Sequence, residues 1–257
     1  MKLVYYSQED QKWKNTPYTI DGDAGETIGA SGCGPTSFAM VASTFLGKEI
    51  LPTETCQYAI KNGYRTANNG TAWGFFASAA KHYGLSCVQT GSLDAAKAAL
   101  REGKLVIASM GRGHFTSGGH FILLVGINSD GSIDVFDPNH DNRKYGSDGL
   151  INQGVKDDGK VTAKESVFKS EAKQYWIFSA ISKKQESEEA MTPEEKKAFD
   201  KLVSRVTDLE EENKKVTAPK WFVDEFGSAD LGGLIRDPEL TAEGWRTLAI
   251  GLRASQK

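Results

Sequence analysis

Cysteine is scarce in this chain: Cys33, Cys56 and Cys87 are the only three among 257 residues. An odd number without metal-type spacing argues against both a disulfide framework and a zinc site. An excess of basic charge is also missing. The net charge is −3, and no basic footprint for nucleic acid is present. No apolar run approaches the length of a membrane span, and the opening residues Met1 to Gln8 lack the apolar core of a signal peptide. The expectation is a product made and kept in the cytoplasm unless something else releases it. The chain also lacks a Gly-x4-Gly-Lys-Ser/Thr phosphate loop. Histidine is limited to His82, His114, His120 and His140.

What is present begins with Ala30-Ser31-Gly32-Cys33-Gly34-Pro35-Thr36-Ser37, which places a thiol at the start of a helix. Pro35 suits a first helical turn, and Gly47 ends the run after Leu46. Unpaired amides and the positive end of the dipole lower a thiol's pKa there, and the thiolate is the attacking species. The plain alternative is a small residue packing the helix onto a core. A histidine and an orienting group elsewhere decide between the two.

The hydrophobic content of 39% suffices for one domain of moderate size with an appendage, or for two domains. Residues 1–30 read as an irregular lead-in with one short strand. Helices are expected from about 35 to 46, from Pro52 to Lys61, from Thr71 to Tyr83 and from Leu93 to Glu102, with a short strand over Leu85 to Thr90. Strands then take over at Lys104 to Met110, His120 to Ile127 and Ile133 to Asp137. Asn128-Ser129-Asp130-Gly131-Ser132 forms the hairpin turn. Residues 139–160 read as a long polar surface loop, and Gln174 to Ser182 as a last strand. Helices followed by an antiparallel sheet is an α+β order. Cys56 and Cys87 are read as packing residues.

Composition changes at Lys183. A charged linker over 183–192 leads into a helical C-terminal region, 193–257. Thr192-Pro193-Glu194-Glu195 forms a capping box. Phe199, Leu202, Val206, Leu209, Asn213 and Val216 then alternate spacings of three and four, the pattern of a heptad helix over 193–216 with Asn213 on its core. Self-association and packing against the chain's own domain both fit it. Residues 217–257 read as a small helical module, with Trp221, Phe222, Phe226, Leu234 and Trp245 as core or surface-binding residues.

His120 opens the strongest strand, and Asp137 ends the partner strand of the same hairpin. A carboxylate on the neighbouring strand can hold an imidazole's tautomer while the ring faces the cysteine helix. A two-residue turn at Asp130-Gly131 sets His120 opposite Asp141 and leaves Asp137 about four positions away, so a bulge or strong twist is required. Asn139 is the alternative orienter.

Gly32-Cys33-Gly34-Pro35-Thr36-Ser37, Gly119-His120-Phe121-Ile122 and Phe136-Asp137-Pro138, with Tyr6-Ser7-Gln8-Glu9-Asp10-Gln11-Lys12-Trp13 ahead of them, resemble the bacteriocin-processing branch of the papain-like cysteine peptidases. The likeness covers roughly residues 1–182. It implies a papain-like fold, with Cys33 as nucleophile, His120 as general base and acid and Asp137 as orienter. Gln8 and the Cys33 backbone N–H then serve as oxyanion donors. Papain carries its oxyanion glutamine six residues before the cysteine, where this chain has Thr27, and Gln11 stands as the substitute for Gln8. The reaction implied is acyl transfer through a thioester, which needs no metal or cofactor.

A peptidase-like region at residue 1, followed by a linker and a helical tail, is similar to Gram-positive phage endolysins. The expected substrate is therefore bacterial peptidoglycan, reached from the host cytoplasm through a membrane pore. The competing readings are a leader-peptide-processing peptidase and a non-catalytic protein of the same fold. Met191, preceded by Glu188-Glu189-Ala190, is a candidate internal start whose product, 191–257, could join full-length chains. Asp21-Gly22-Asp23 and the Asp130–Asp134 turn contain acidic residues, but turn chemistry accounts for them without calcium.

Overall fold

A computed structural model describes residues 1–67, 70–181 and 193–255. The linker and Met191 lie outside the described residues. The chain divides into two compact units, Met1–Lys183 and Lys184–Lys257.

In the first unit a one-turn helix, Ile28–Ser31 (α1), leads through Gly32 into Cys33–Leu46 (α2). Gly47 closes α2 in the left-handed conformation (φ 64°), donating to the Ser43 carbonyl. Pro52–Lys61 (α3) follows. The helix expected from Thr71 instead begins at Phe75, as Phe75–His82 (α4). Thr71 belongs to the ribbon Arg65–Thr66 (β1) and Gly70–Thr71 (β2). The buried Arg65 guanidinium accounts for the difference: it donates to the carbonyls of Tyr18, Thr66 and Gly70 and pairs with Glu26 at 2.7 Å. Those bonds tie β1 to β2 and offset the cost of burying the cation.

The remaining elements are Leu85–Thr90 (β3), Leu93–Arg101 (α5), Leu105–Met110 (β4), His120–Ile127 (β5), Ile133–Phe136 (β6), Ile151–Asn152 (β7), Lys160–Ala163 (β8), Glu165–Glu171 (α6) and Ala172–Ala180 (β9). Strands β3 to β9 form one antiparallel sheet in the order β3-β9-β4-β5-β6-β8-β7. Two of these strands, β7 and β8, lie in or at the end of the segment read as a surface loop, where hydrophobic alternation is too short to register.

Both faces of the sheet are covered. Leu105, Ile107, Phe121, Leu123, Trp176 and Phe178 meet α2, α3 and α4; Val106, Ala108, Met110, Ile122, Leu124 and Val135 pack with residues of α5 and α6. That double burial explains why β4 and the first half of β5 are continuously apolar. The architecture is α+β and papain-like.

In the second unit the long helix spans Pro193–Glu212 (α7), four residues shorter than the heptad helix read over 193–216. Asn213 does not sit on a helical seam. Its side-chain amide and backbone N–H both donate to the Leu209 carbonyl, which ends the helix. Val216–Thr217 (β10) instead pairs with Glu239–Leu240 (β11), and the Trp245 indole donates to the Val216 carbonyl. Lys220–Phe226 (α8) and Ala242–Ser255 (α9) enclose a small core of Phe222, Trp245 and Ala249, edged by Phe226 and Leu240. Trp221 and Leu234 are exposed.

Candidate active site

Cys33 begins α2, where the first helical amides have no partner within the helix. Close approach is what Gly34 permits: a Cβ there would come within 3.2 Å of both Phe121 and Thr71. Ser37 then ties α2 to β5 by donating to the Phe121 carbonyl. Three groups that can donate stand by the sulfur: the His120 ring and the backbone amides of Phe121 and Gly34. Burial opposes ionisation of the thiol, but these donors and the His120 charge outweigh it, so its pKa falls below the ordinary range.

His120 and Asp137 meet because the hairpin is out of phase. The turn closes at Ile127↔Ile133, and a regular ladder from there would set Asp137 opposite Leu123, on the face away from His120. An extra residue, Val125, shifts the register so that Leu124 pairs with Val135 and Leu123 with Phe136. Continued by one step, that phase brings Asp137 opposite Ile122, a diagonal neighbour of His120 on the same face. Diagonal side chains across a ladder are about 7–8 Å apart at their bases, within reach of an imidazole and a carboxylate. His120 Nε2 donates to Asp137 Oδ1 at 2.7 Å, leaving Nδ1 as the nitrogen for Cys33. Burial disfavours the imidazolium, but the Asp137 charge and hydrogen bond, with Cys33 beside it, raise the His120 pKa well above normal.

Asp137 is fully buried, and each of its oxygens has two donors. Oδ1 accepts from His120 and the Asn139 backbone N–H; Oδ2 accepts from the Asn142 amide at 3.0 Å and the Tyr145 hydroxyl at 2.8 Å. Burial and then the Asp137 charge push the Tyr145 phenol far up, so it stays a donor. Asn142 and Tyr145 went unnoticed in the sequence. A lone tyrosine inside a polar segment was the available signal.

Gln8 lines the cavity around Cys33, with Trp73, Ser109, Thr116, Gly119, His120 and Asn139 among its neighbours; the cavity volume is about 560 Å³. The Gln8 backbone N–H donates to the Pro138 carbonyl, directly after Asp137, and its Nε2 donates to the Gly29 carbonyl at 2.6 Å. One Nε2 hydrogen is left for a substrate oxygen. Among the described residues its Oε1 is buried without a partner. The aromatic entry motif sets this position: Trp13 Nε1 donates to the Ser7 carbonyl, and the Ser7 hydroxyl donates to the Pro138 carbonyl.

Gln11 is exposed and does not line the Cys33 cavity. Thr27 caps α1 by accepting from the Ala30 amide. Asn139 contributes its backbone to Asp137, while its side-chain amide nitrogen faces Glu9 and Asp141. It therefore does not orient the ring. The other histidines have local partners: His82 stacks with Tyr58, His114 sits between Glu171 and Asp148, and His140 meets Ser7 and Glu9. Cys56 is buried with its pKa raised by burial, and burial pushes Cys87 up to about 12. Asp21, Asp23 and Asp130 accept from backbone amides two residues on, as turn residues do. Among the described residues no group of three acidic, histidine or cysteine side chains is arranged to hold a metal, and no helix is long and apolar enough to cross a membrane.

A family model described as the Peptidase C39 like family matches residues 2–156. The chain belongs to that family. The chain also has counterparts among solved structures. The peptidase domain of Streptococcus ComA, a bifunctional ABC transporter of a quorum-sensing pathway, is 17% identical with a TM-score of 0.41, covering 58% of this chain and 92% of that one. A double-glycine-motif protease from an AMS/PCAT transporter, solved with its leader peptide, is 16% identical (TM-score 0.41; 70% and 93% covered). A C39-like peptidase from Bacillus anthracis is 15% identical (TM-score 0.43; 71% and 96% covered). A search among curated proteins returns no match.

Proposed function

We propose that the first unit hydrolyses peptide amides through a Cys33 thiolate, with His120 as base and acid and Asp137 holding the ring. The observation that carries this is the buried His120–Asp137 hydrogen bond at 2.7 Å, made by a ring that shares the wall of an open cavity with a cysteine at a helix N-terminus. The thiolate attacks the carbonyl carbon, and the oxyanion is met by the Cys33 backbone N–H and the remaining Gln8 Nε2 hydrogen. Nδ1 of His120 then protonates the leaving amine, and the same nitrogen takes a proton from the water that cleaves the thioester.

For substrate we propose the peptides of bacterial peptidoglycan, in an arrangement like that of phage endolysins. The second compact unit, with its own aromatic core, supports this reading as a device that concentrates the enzyme on a solid substrate. The reading includes accumulation in the host cytoplasm and passage to the wall through a pore made by another protein. Mass spectrometry of fragments released from purified Gram-positive wall tests it: amide cleavage by the wild type, absent with Cys33→Ala, is the expected result. An intact wall alongside cleavage of a double-glycine leader peptide would replace it with leader processing, the activity named for one of the similar structures. Equal alkylation rates of all three cysteines and cleavage of neither substrate would indicate a non-catalytic protein.

A further inference from the structure

We infer that α7 is a self-association helix that pairs in parallel with α7 of a second copy of this chain. Phe199, Leu202, Val203, Val206 and Leu209 lie on it, and each is between 42% and 63% exposed. None of them joins the core of their own unit, which Phe222, Trp245 and Ala249 build without help from α7. A lone helix of 20 residues is marginal in water, and most helical stability comes from packing an apolar face. Among the described residues this face is left about half exposed.

The pattern of the face specifies what covers it. Phe199 and Val206 fall on first core positions of a heptad, and Leu202 and Leu209 on the fourth. A β-branched residue at the first position with leucine at the fourth favours two parallel strands. The flanks agree with that geometry. In a parallel pair, the last position of one heptad faces the fifth position of the partner's next heptad, five residues on. Those positions hold Arg205 and Glu210, which are exposed and, among the described residues, have no ion-pair partner in their own chain. A two-fold pair would therefore place Arg205 of each copy beside Glu210 of the other, twice. One heptad earlier the same relation joins Ala198 to Val203, an apolar extension of the seam. The antiparallel alternative loses this Arg205–Glu210 relation, since like positions then face each other. Because Asn213 caps the helix, no buried amide fixes register, and that role falls to the charges.

Such a pair would give each particle two copies of the second unit and two catalytic units, independently of which amide is cleaved. A fragment starting at Met191 would carry the same seam and could join a full-length chain.

Sedimentation equilibrium on the full-length chain over a concentration series tests the inference. Two-chain mass that dissociates on dilution is expected, and Leu202→Glu with Leu209→Glu should give single chains at every concentration. Because that variant could also unfold α7, a charge exchange is the second arm. Arg205→Glu should weaken pairing at least tenfold, and adding Glu210→Arg should restore it. A single-chain mass for the wild type throughout would overturn the inference, as would dimerisation that is indifferent to Arg205→Glu.

Discussion

Asn142 holds two elements of the candidate site to one point: its side-chain nitrogen donates to Asp137 Oδ2 at 3.0 Å and to the Phe115 carbonyl at 2.7 Å. The carboxylate behind His120 is thereby fixed to the glycine-rich loop, Gly111 to Gly119, that forms one lip of the cavity. Asn142→Ala frees a lone pair of a fully buried carboxylate and releases the loop. The expected outcome is a loss of about 1.5–3 kcal/mol in stability, the range for hydrogen bonds to charged groups, and a lower kcat. Tyr145→Phe should cost a similar stability while leaving the loop attached, so its KM stays close to wild type. Denaturant unfolding and steady-state kinetics on the two variants separate these effects.

Cysteine reactivity should discriminate sharply by site. Cys33 is held below the ordinary thiol range by His120 and two amides, whereas burial raises Cys56 and Cys87. At neutral pH iodoacetamide should modify Cys33 first, by at least tenfold, as read from peptide masses. The pH profile follows from the signs: the thiol's pKa is lowered and the imidazole's raised, which widens the pH window in which both are charged. Reactivity should fall on the acid side as the thiolate takes a proton. Activity should fall on the alkaline side as the imidazolium loses one. Asp137→Asn removes the charge that raises His120, so the alkaline limb should move to lower pH and kcat should drop roughly 10²–10⁴-fold. An unmoved alkaline limb would assign it to another group.

The residues of the candidate site were legible in the sequence because they lie in local motifs. A glycine-flanked cysteine opening a helix, a histidine opening a strand and an aspartate closing the next are each visible within a few residues. The phase of the hairpin was not. Val125 looks like any other strand residue, and the extra step it adds depends on where the turn closes, a matter of non-local pairing. Asn142 and Tyr145 were hidden for a similar reason, since their partner is fixed by a carboxylate in another element. In α7 the spacing rule continued through Asn213 and Val216, but Asn213 is bound locally to the Leu209 carbonyl as a cap, and Val216 is a strand residue bonded to the distant Trp245. Gln8 could be singled out by resemblance. What distinguishes it physically from Gln11 is the anchor at Pro138, which no spacing reveals.

Trp73 is 44% exposed and lines the Cys33 cavity, braced edge-on against Trp176 at 5.6 Å. An exposed ring on a rigid support is suited to covering a bound peptide. Trp73→Ala should raise KM several-fold with kcat little changed, the pattern for binding energy shared by ground and transition states. A fall in kcat at constant KM would instead place the ring in the chemical step.

His114 lies in the same glycine-rich loop and meets two carboxylates: its backbone N–H donates to Glu171 at 2.8 Å, its Nδ1 meets the same residue, and its Nε2 is 2.8 Å from Asp148. Hydrogen bonds to Glu171 and then Asp148 raise its pKa. A group whose folded pKa is raised contributes stability that is fully present below the unfolded value, near 6.5, and is lost as pH rises through the folded value. The melting temperature should therefore decline from mildly acidic toward alkaline pH in the wild type. His114→Gln should flatten that decline. An unchanged slope in the variant would locate the titration elsewhere.

The last strand of the first unit, β9, occupies an inner place in the sheet, between β3 and β4. Until residues 172–180 have left the ribosome, β3 has no neighbour and Trp176 is missing from beneath Phe121. Truncation before Ala172 would split the sheet, although the family match ends at residue 156. Translation therefore delivers Cys33 early and its supporting sheet late. For most of synthesis the thiol lacks the complete sheet on which its helix packs.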